Sequence, residues 1–266
     1  MANRPKRITV PEFSSLKSKG ERITMLTAYD YPMAALLDSC GIEGILVGDS
    51  MSMVVQGHEN TLPVTLDEMI YHAEMVGRAV QRALVVVDLP FPTMHLDVPQ
   101  VIGAGSRILK ETRCLAIKLE SGAEQAGVIR ALVGAGIPVM AHVGLRPQNV
   151  HQMGGYKVSR DVDKLLVDAC AAEDAGAFAI VMECIPSHSA ARITEAVSIP
   201  TIGIGAGRGC DGQVLVTNDM LGLTNGYVPR FVKKYADLKS IVCETVTQFR
   251  DEVRAGSFPG DEQTYK

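Results

Sequence analysis

Four apolar segments of this chain each end on a carboxylic acid. They are segments 45–49, 84–88, 115–120 and 179–183, which end on Asp49, Asp88, Glu120 and Glu183. Short, mostly aliphatic segments of this kind are typical of strands that are buried on both faces, as in a parallel sheet. A carboxylate at the end of a buried strand is costly unless a cation or hydrogen-bond donors accompany it. The four acids therefore predict one shared acidic pocket that holds a cation.

Strand-like and helix-like patterns alternate about eight times along the chain without a linker, which predicts one α/β domain. The predicted strands are 23–28, 45–48, 84–88, 115–120, 138–143, 178–183, 200–204 and 214–217. This number of units in 266 residues matches the size of a (β/α)8 TIM barrel. We expect a single barrel domain over residues 1–266, with a short N-terminal helix and a C-terminal helical segment.

A doubly wound open sheet is the alternative architecture. The acids fall at the ends of the second, third, fourth and sixth predicted strands. In a barrel these carboxyl ends converge on one mouth, whereas an open sheet spreads them along a crevice. The barrel is favoured because it brings all of the acids to one place.

Capping patterns mark the starts of several predicted helices. Segments 9–12 and 65–68 have the spacing of capping boxes. Asp161 and Ser187 are placed to cap two further helices, and segment 235–254 has the pattern of a long terminal helix.

Charge, composition and the spacing of the cysteines favour a cytoplasmic protein. A net charge of −4 gives no reason to expect nucleic acid or an anionic membrane as a partner. No apolar stretch approaches the roughly 20 residues of a membrane helix, and segment 9–21 lacks the apolar centre of a signal peptide. The 6 cysteines show neither a CxxC pair nor the spacing of zinc ligands, so we expect reduced thiols in the core and a cytoplasmic location.

Asp49 and Asp88 are the first candidates for metal ligands. Each follows an apolar strand and precedes residues that turn the chain. Carboxylate oxygens with room for water and substrate oxygens suit Mg²⁺. Glu120 adds a third acid at the same rim, where acids without a cation would repel one another. The alternative is that each aspartate only caps the loop after its strand.

Three further residue types suggest substrate binding and proton transfer. Lys118 and Glu120 are two residues apart on one strand, so their side chains point to the same face. Lys118 can bind a substrate carboxylate there, although a self-neutralising Lys–Glu pair is the alternative. Burial is expected to raise the pKa of Glu183 toward the range that suits proton transfer. His142 is a candidate hydrogen-bond donor or, alternatively, an ordinary core residue.

Eleven short motifs follow one another through nearly the whole chain. They are TAYDY at 27–31, VGDS at 47–50, QGH at 56–58, TLPVT at 61–65, DLPF at 88–91, KLE at 118–120, HVGL at 142–145, GGYKV at 154–158, ECIP at 183–186, IGIGAG at 202–207 and DGQVLV at 211–216. With these motifs in register, the chain resembles the ketopantoate hydroxymethyltransferase family.

The resemblance implies a fold, an assembly and a reaction. The fold is a (β/α)8 barrel of the phosphoenolpyruvate mutase and isocitrate lyase type, and the assembly is a homodecamer. The reaction transfers a hydroxymethyl group from 5,10-methylenetetrahydrofolate to 3-methyl-2-oxobutanoate, giving 2-dehydropantoate for pantothenate and coenzyme A synthesis. Removing a proton from C3 leaves an enolate, whose charge a cation on the keto oxygen stabilises. The enolate then attacks the methylene carbon carried by folate.

The resemblance also assigns roles to individual residues. The implied Mg²⁺ ligands are Asp49, Asp88 and, through water, Glu120. The implied substrate-binding residues are Asp49, Ser50, Asp88 and Lys118. The implied catalytic residues are Glu183, His142 and Lys118.

Some positions depart from the usual pattern of the family, without touching the metal or proton-transfer positions. They are Arg113, Ser121, Arg146, Ser159, Arg160 and Asn218. Arg113 stands where the family has glycine, and a positive φ there would cost on the order of 1 kcal/mol.

Two other functions remain as alternatives. An Mg²⁺-dependent 2-oxoacid lyase or mutase of the same barrel superfamily would share the acids, but no cysteine here has the setting of a lyase catalytic loop. A catalytically silent scaffold paralogue would have lost one of the acids or Lys118, and all are present.

Overall fold

Eight parallel strands form a closed barrel in the computed structural model, which describes residues 6–265. The strands are β1 (Ile23–Thr27), β2 (Gly44–Val47), β3 (Leu84–Asp88), β4 (Ala116–Glu120), β5 (Val139–Gly144), β6 (Ala179–Glu183), β7 (Thr201–Ile204) and β8 (Gly212–Leu215). Each strand pairs with the next, and β8 pairs with β1. The predicted barrel is confirmed, and the open sheet is excluded.

Helices follow the strands around the barrel. They are α1 (Val10–Ser18), α2 (Tyr31–Ser39), α3 (Met51–Val54), α4 (Leu66–Ala79), α5 (Val98–Glu111), α6 (Ala126–Gly134), α7 (Val150–Met153), α8 (Val162–Asp174) and α9 (Ser187–Ala196). The predicted capping boxes open α1 and α4, and the Asp161 side chain caps α8. The prediction for Ser187 was wrong, because Pro186 takes the cap position and Ser187 is the first helical residue.

The N-terminal helix closes one end of the barrel. Phe13 of α1 is fully buried and packs edge-to-face on Phe178, with ring centroids 6.0 Å apart. It joins a cluster of inward-facing strand residues that includes Met25, Val86 and Met140. The opposite end, where the strands finish, carries the polar groups that the sequence singled out.

The chain divides into two compact units after Val216. The first contains the barrel, and the second contains α10 (Thr217–Met220) and α11 (Leu238–Ala255), the predicted terminal helix. A single domain over 1–266 stays a prediction, and residues 1–5 and 266 lie outside the described part of the chain. Within residues 6–265, no helix combines the length and apolar character needed to cross a membrane.

The expected backbone cost at Arg113 does not arise. Among the described residues, Cys184 is the only non-glycine residue with positive φ, at 49°. The chain instead leaves α5 through Thr112 in an extended conformation, so no left-handed residue is needed there. All 6 cysteines are free thiols, as expected, although Cys40 and Cys243 are exposed.

Candidate active site

The four predicted acids lie at the carboxyl ends of the strands. Asp88, Glu120 and Glu183 are the last residues of β3, β4 and β6, and Asp49 follows β2 directly after Gly48. In a closed parallel barrel these ends surround one mouth. The structure therefore brings the four acids together as the sequence predicted.

Asp49 and Asp88 are in direct contact. The backbone NH of Asp49 donates to Asp88 Oδ2 at 3.0 Å, and both residues are buried. Burial, followed by repulsion from Asp88, raises the pKa of Asp49 to about 7. Asp88 therefore caps the loop after β2, as in the alternative to metal binding. This hydrogen bond does not remove the repulsion between the two carboxylates.

Lys118 is a buried cation among these acids. Its Nζ lies 3.0 Å from Asp88 Oδ1. Burial acts to lower the pKa of Lys118, but the neighbouring carboxylates, Asp88 foremost, outweigh burial and raise it. The ion pair is with Asp88, whereas the Glu120 carboxylate accepts the backbone NH of Gln148 at 3.1 and 3.2 Å. The self-neutralising Lys118–Glu120 pair is therefore not what the structure shows.

His142 lies between Lys118 and Glu183. Its Nδ1 is 3.2 Å from Lys118 Nζ, and its Nε2 is 3.2 Å from Glu183 Oε2. Burial and the charge of Lys118 lower the pKa of His142 well below its ordinary value, so the ring is neutral. An ammonium only donates, so Nδ1 accepts and the ring proton is on Nε2, which is close to Glu183 but not aligned to hydrogen-bond it or any other group of the described residues. His142 is a core residue by burial, but its neighbours place it in the site.

Glu183 has the raised pKa that its sequence position predicted. Burial raises the pKa of its carboxyl to about 7, and 18% of its side chain remains exposed. Cys184, with its positive φ, turns the chain immediately after it. Gly144 approaches the same point, because a Cβ there would lie 2.3 Å from the backbone oxygen of Glu183.

Ser50 is held at the mouth by a buried tyrosine. The hydroxyl groups of Ser50 and Tyr29 lie 2.9 Å apart. Burial raises the pKa of Tyr29, so the phenol keeps its proton. Tyr29 follows β1, and its contact fixes Ser50 next to Asp49 in the loop after β2.

Two residues near the acids had no individual role in the sequence interpretation. Gln148 is buried, and its Nε2 donates to Asp49 Oδ2 at 2.8 Å and to the backbone oxygen of Leu89 at 3.0 Å. The hydroxyl of Tyr156 donates to Met53 Sδ at 3.6 Å, which links the loops after β5 and β2. A polar amide shortly after a buried strand was the available signal for Gln148.

The arrangement fits Mg²⁺ with water completing its coordination. Within residues 6–265, no three His, Cys, Asp or Glu side chains converge into a complete metal site. Mg²⁺ does not need one, since it is usually bound through one or two carboxylates and keeps several waters. Asp49 and Asp88 supply two carboxylates, and the buried Asp88 Oδ1 has the Lys118 ammonium 3.0 Å away and no other donor among the described residues. Glu120 is held nearby by Gln148 and suits a contact through water.

Comparison with known sequences decides the family. The sequence model described as ketopantoate hydroxymethyltransferase matches residues 7–261. The chain belongs to this family. A 3-methyl-2-oxobutanoate hydroxymethyltransferase from Rhodopirellula baltica is 58% identical over 263 residues, covering 99% of this chain and 98% of the relative. The enzyme of the same name from Desulforapulum autotrophicum is 53% identical over 260 residues, covering 98% and 99%. The predicted family and enzyme class are confirmed.

Solved structures confirm the predicted type of barrel. A 2,3-dimethylmalate lyase, described as a PEP mutase/isocitrate lyase superfamily member, has a TM-score of 0.63 at 18% identity, covering 98% of this chain and 93% of that one. A phosphoenolpyruvate phosphomutase from Streptomyces platensis has a TM-score of 0.64 at 15% identity, covering 93% and 88%. At these identities the likeness establishes the fold alone.

Proposed function

We propose that this member of the family transfers a hydroxymethyl group from 5,10-methylenetetrahydrofolate to 3-methyl-2-oxobutanoate, giving 2-dehydropantoate in pantothenate and coenzyme A synthesis. Two relatives named 3-methyl-2-oxobutanoate hydroxymethyltransferase, which are 58% and 53% identical to this chain, support this choice of substrate. The observation that carries the proposal is the pair of carboxylates at Asp49 and Asp88, which repel each other beside Lys118. His142 and Glu183 lie next to Lys118 on the following strands of the rim.

The proposal puts the metal on one side of the mouth. Asp49 and Asp88 would hold Mg²⁺, and Glu120 would contact it through water. When bound, Mg²⁺ supplies positive charge that polarises the keto oxygen and stabilises the negative charge that develops there. Lys118, as a buried ammonium, binds the carboxylate of the 2-oxoacid, and the Ser50 hydroxyl adds a hydrogen bond at the same end.

Glu183 takes the proton from C3 of the substrate. A base with a pKa near the working pH combines the ionised form with adequate proton affinity, and the pKa of Glu183 is raised to about 7. His142 Nε2 lies 3.2 Å from Glu183 Oε2 and has no hydrogen-bond partner among the described residues, so we assign to His142 the role of a neighbouring donor that serves Glu183 or the bound substrate.

Water supplies the hydroxyl oxygen: hydrolysis of the methylene bridge breaks its two bonds to the folate nitrogens and leaves a one-carbon unit at the oxidation level of formaldehyde, with tetrahydrofolate as the other product. The C3 carbanion then forms the new carbon–carbon bond to this one-carbon unit, and the resulting alkoxide takes up a proton to give the hydroxymethyl group.

Burial of the site limits the access of bulk water to the C3 carbanion. Asp88, Glu120 and His142 are each at most 3% exposed. The Tyr156–Met53 contact adds a cover between two loops of the mouth. Exclusion of water limits premature reprotonation of the enolate.

Self-association is proposed from the second unit. Helix α11 has no buried residue, and its exposed apolar side chains are Ile241, Val242, Val246, Phe249 and Val253. An exposed apolar stripe of this kind marks an interaction surface. We propose a homo-oligomer in the cytoplasm, with the decamer coming from the family resemblance, and light scattering coupled to size-exclusion chromatography tests it.

Deuterium exchange separates the proposed reaction from the lyase alternative. The protein is incubated with 3-methyl-2-oxobutanoate and Mg²⁺ in D₂O, and the C3 proton is followed by NMR. Loss of this proton signal without cleavage of the substrate, and its arrest by EDTA, supports the proposal. Cleavage in the absence of folate would instead favour a lyase, and an unreactive substrate would favour the silent paralogue.

A further inference from the structure

Gln148 contacts two residues of the predicted metal site, although no role has been assigned to it. It lies in the loop after β5 and is 4% exposed. Its side chain reaches the Asp49 carboxylate, and its backbone NH reaches both oxygens of Glu120. One residue thereby joins two acids that belong to different strands.

The orientation of the Gln148 amide is fixed by its partners. Nε2 lies 2.8 Å from Asp49 Oδ2 and 3.0 Å from the Leu89 backbone oxygen. A carboxylate and a carbonyl oxygen accept hydrogen bonds, so only the NH₂ end of the amide can face them. Both amide protons are used, and the amide cannot flip without losing two hydrogen bonds.

The other end of the amide is an unused acceptor. Gln148 Oε1 is buried, and within residues 6–265 no group donates a hydrogen bond to it. A buried acceptor without a donor is uncommon and calls for a partner such as an ordered water. Asp88 Oδ1, a second buried oxygen of the same site, has the Lys118 ammonium 3.0 Å away but no other donor among the described residues.

We propose that Gln148 is a positioning residue of the metal site, which holds Asp49 and Glu120 in the arrangement that binds Mg²⁺ and offers Oε1 to a water of the bound ion. Through Nε2 it occupies one oxygen of Asp49 and leaves the other for the cation. Through its backbone NH it keeps Glu120 close to the pair. The inference rests on the Mg²⁺ site of the proposed function.

Calorimetric titration with Mg²⁺ alone tests the role of the amide. Gln148→Met keeps the length of the side chain but removes the amide, while the backbone contact to Glu120 remains. Removing such a supporting contact typically weakens metal binding by about 10-fold or more, so the Mg²⁺ Kd should rise by at least this factor. Gln148→Asn, which keeps an amide but shortens its reach, tests the same contact if the Met variant does not fold.

Gln125 provides a matched control. It is a second buried glutamine in a loop after a strand, and its Oε1 accepts the backbone NH of Gly122 at 2.8 Å. Gln125→Met also removes a buried amide, but we expect it to leave the Mg²⁺ Kd within about twofold of the original, because metal affinity follows the contacts of the ligands.

A second measurement separates positioning from general damage. In the C3 exchange assay, Gln148→Met should raise the Mg²⁺ concentration for half-maximal rate about 10-fold, in line with the loss of affinity. Saturating Mg²⁺ should then restore most of the rate. A low rate that excess Mg²⁺ does not restore, or an unchanged Kd, would overturn the inference and leave the proposed function standing. Absence of Mg²⁺ binding by the unmodified protein would overturn both.

Discussion

His142 Nε2 lies 3.2 Å from Glu183 Oε2 at the carboxyl ends of β5 and β6. The opposite ring nitrogen faces Lys118, so the proton of the neutral ring is on Nε2. Nε2 is close to Glu183 but is not aligned to hydrogen-bond it or any other group among residues 6–265. The contact therefore sets the two candidate proton-handling groups side by side and leaves the Nε2 proton available to a bound substrate.

Replacement of the carboxyl at position 183 should remove proton abstraction and its pH dependence. The pKa of Glu183 is raised to about 7 by burial, and the ionised form is the base, so C3 exchange should rise with pH up to about 7 and then level. Glu183→Gln should slow exchange by about 10²–10⁴-fold and lose this rising limb. Binding of the 2-oxoacid, measured by calorimetry, should persist. Exchange at the original rate would remove Glu183 from the mechanism.

Loss of one aspartate should abolish the response to Mg²⁺. Asp88→Asn removes a carboxylate of the predicted metal pair, so neither the melting temperature nor C3 exchange should respond to added Mg²⁺. Asp67→Asn is the matched control, because the Asp67 side chain is 80% exposed and pairs with Arg107 on the surface. An Mg²⁺-dependent shift that survives in Asp88→Asn would exclude this residue as a ligand.

A methyl group at position 144 should displace Glu183. Gly144 has a φ of 101°, and a Cβ there would meet the Glu183 backbone oxygen. Gly144→Ala should cost at least about 1–2 kcal/mol and lower the exchange rate. Gly103→Ala, in the helix α5 with nothing within 4 Å of its added Cβ, should instead be neutral or stabilising. Urea unfolding and exchange rates measure both, and a Gly144→Ala variant with unchanged stability and rate would contradict the packing described.

Removal of Lys118 should cost far more stability than removal of a surface lysine. Lys118→Met leaves buried acids without their cation, and breaking a buried pair typically costs about 3–5 kcal/mol. Lys234 is the control, since its side chain and that of its partner Asp237 are 52% and 53% exposed. Lys234→Met should cost less than about 1 kcal/mol in urea unfolding. Equal losses in the two variants would show that the acids do not depend on Lys118.

The sequence predicted the strands and their terminal acids because both are local features. Buried strands appear in the sequence as apolar segments. A carboxylate at the end of such a segment stands out because it is costly to bury. The raised pKa of Glu183 followed from the same reasoning. Strand ends differed from the predictions by at most two residues, because the apolar pattern does not mark where pairing stops.

The partners of these acids were not predictable, because they depend on contacts between distant segments. Gln148 and Asp49 are separated by 99 positions, so the place of this amide shortly after a buried strand does not reveal that it contacts Asp49. The sequence predicts that Lys118 binds the substrate or pairs with Glu120, but only the register of β3 and β4 reveals that Lys118 lies beside Asp88. The tautomer of His142 likewise follows only from its neighbours on both sides.

A proton NMR assay of the complete reaction tests the central claim most directly. The protein is mixed with 3-methyl-2-oxobutanoate, 5,10-methylenetetrahydrofolate and Mg²⁺. We expect new hydroxymethyl signals of 2-dehydropantoate, which disappear when EDTA is added and are absent from Asp88→Asn. Exchange at C3 without these signals would contradict the transfer to the 2-oxoacid, and product formation unaffected by EDTA would contradict the metal site.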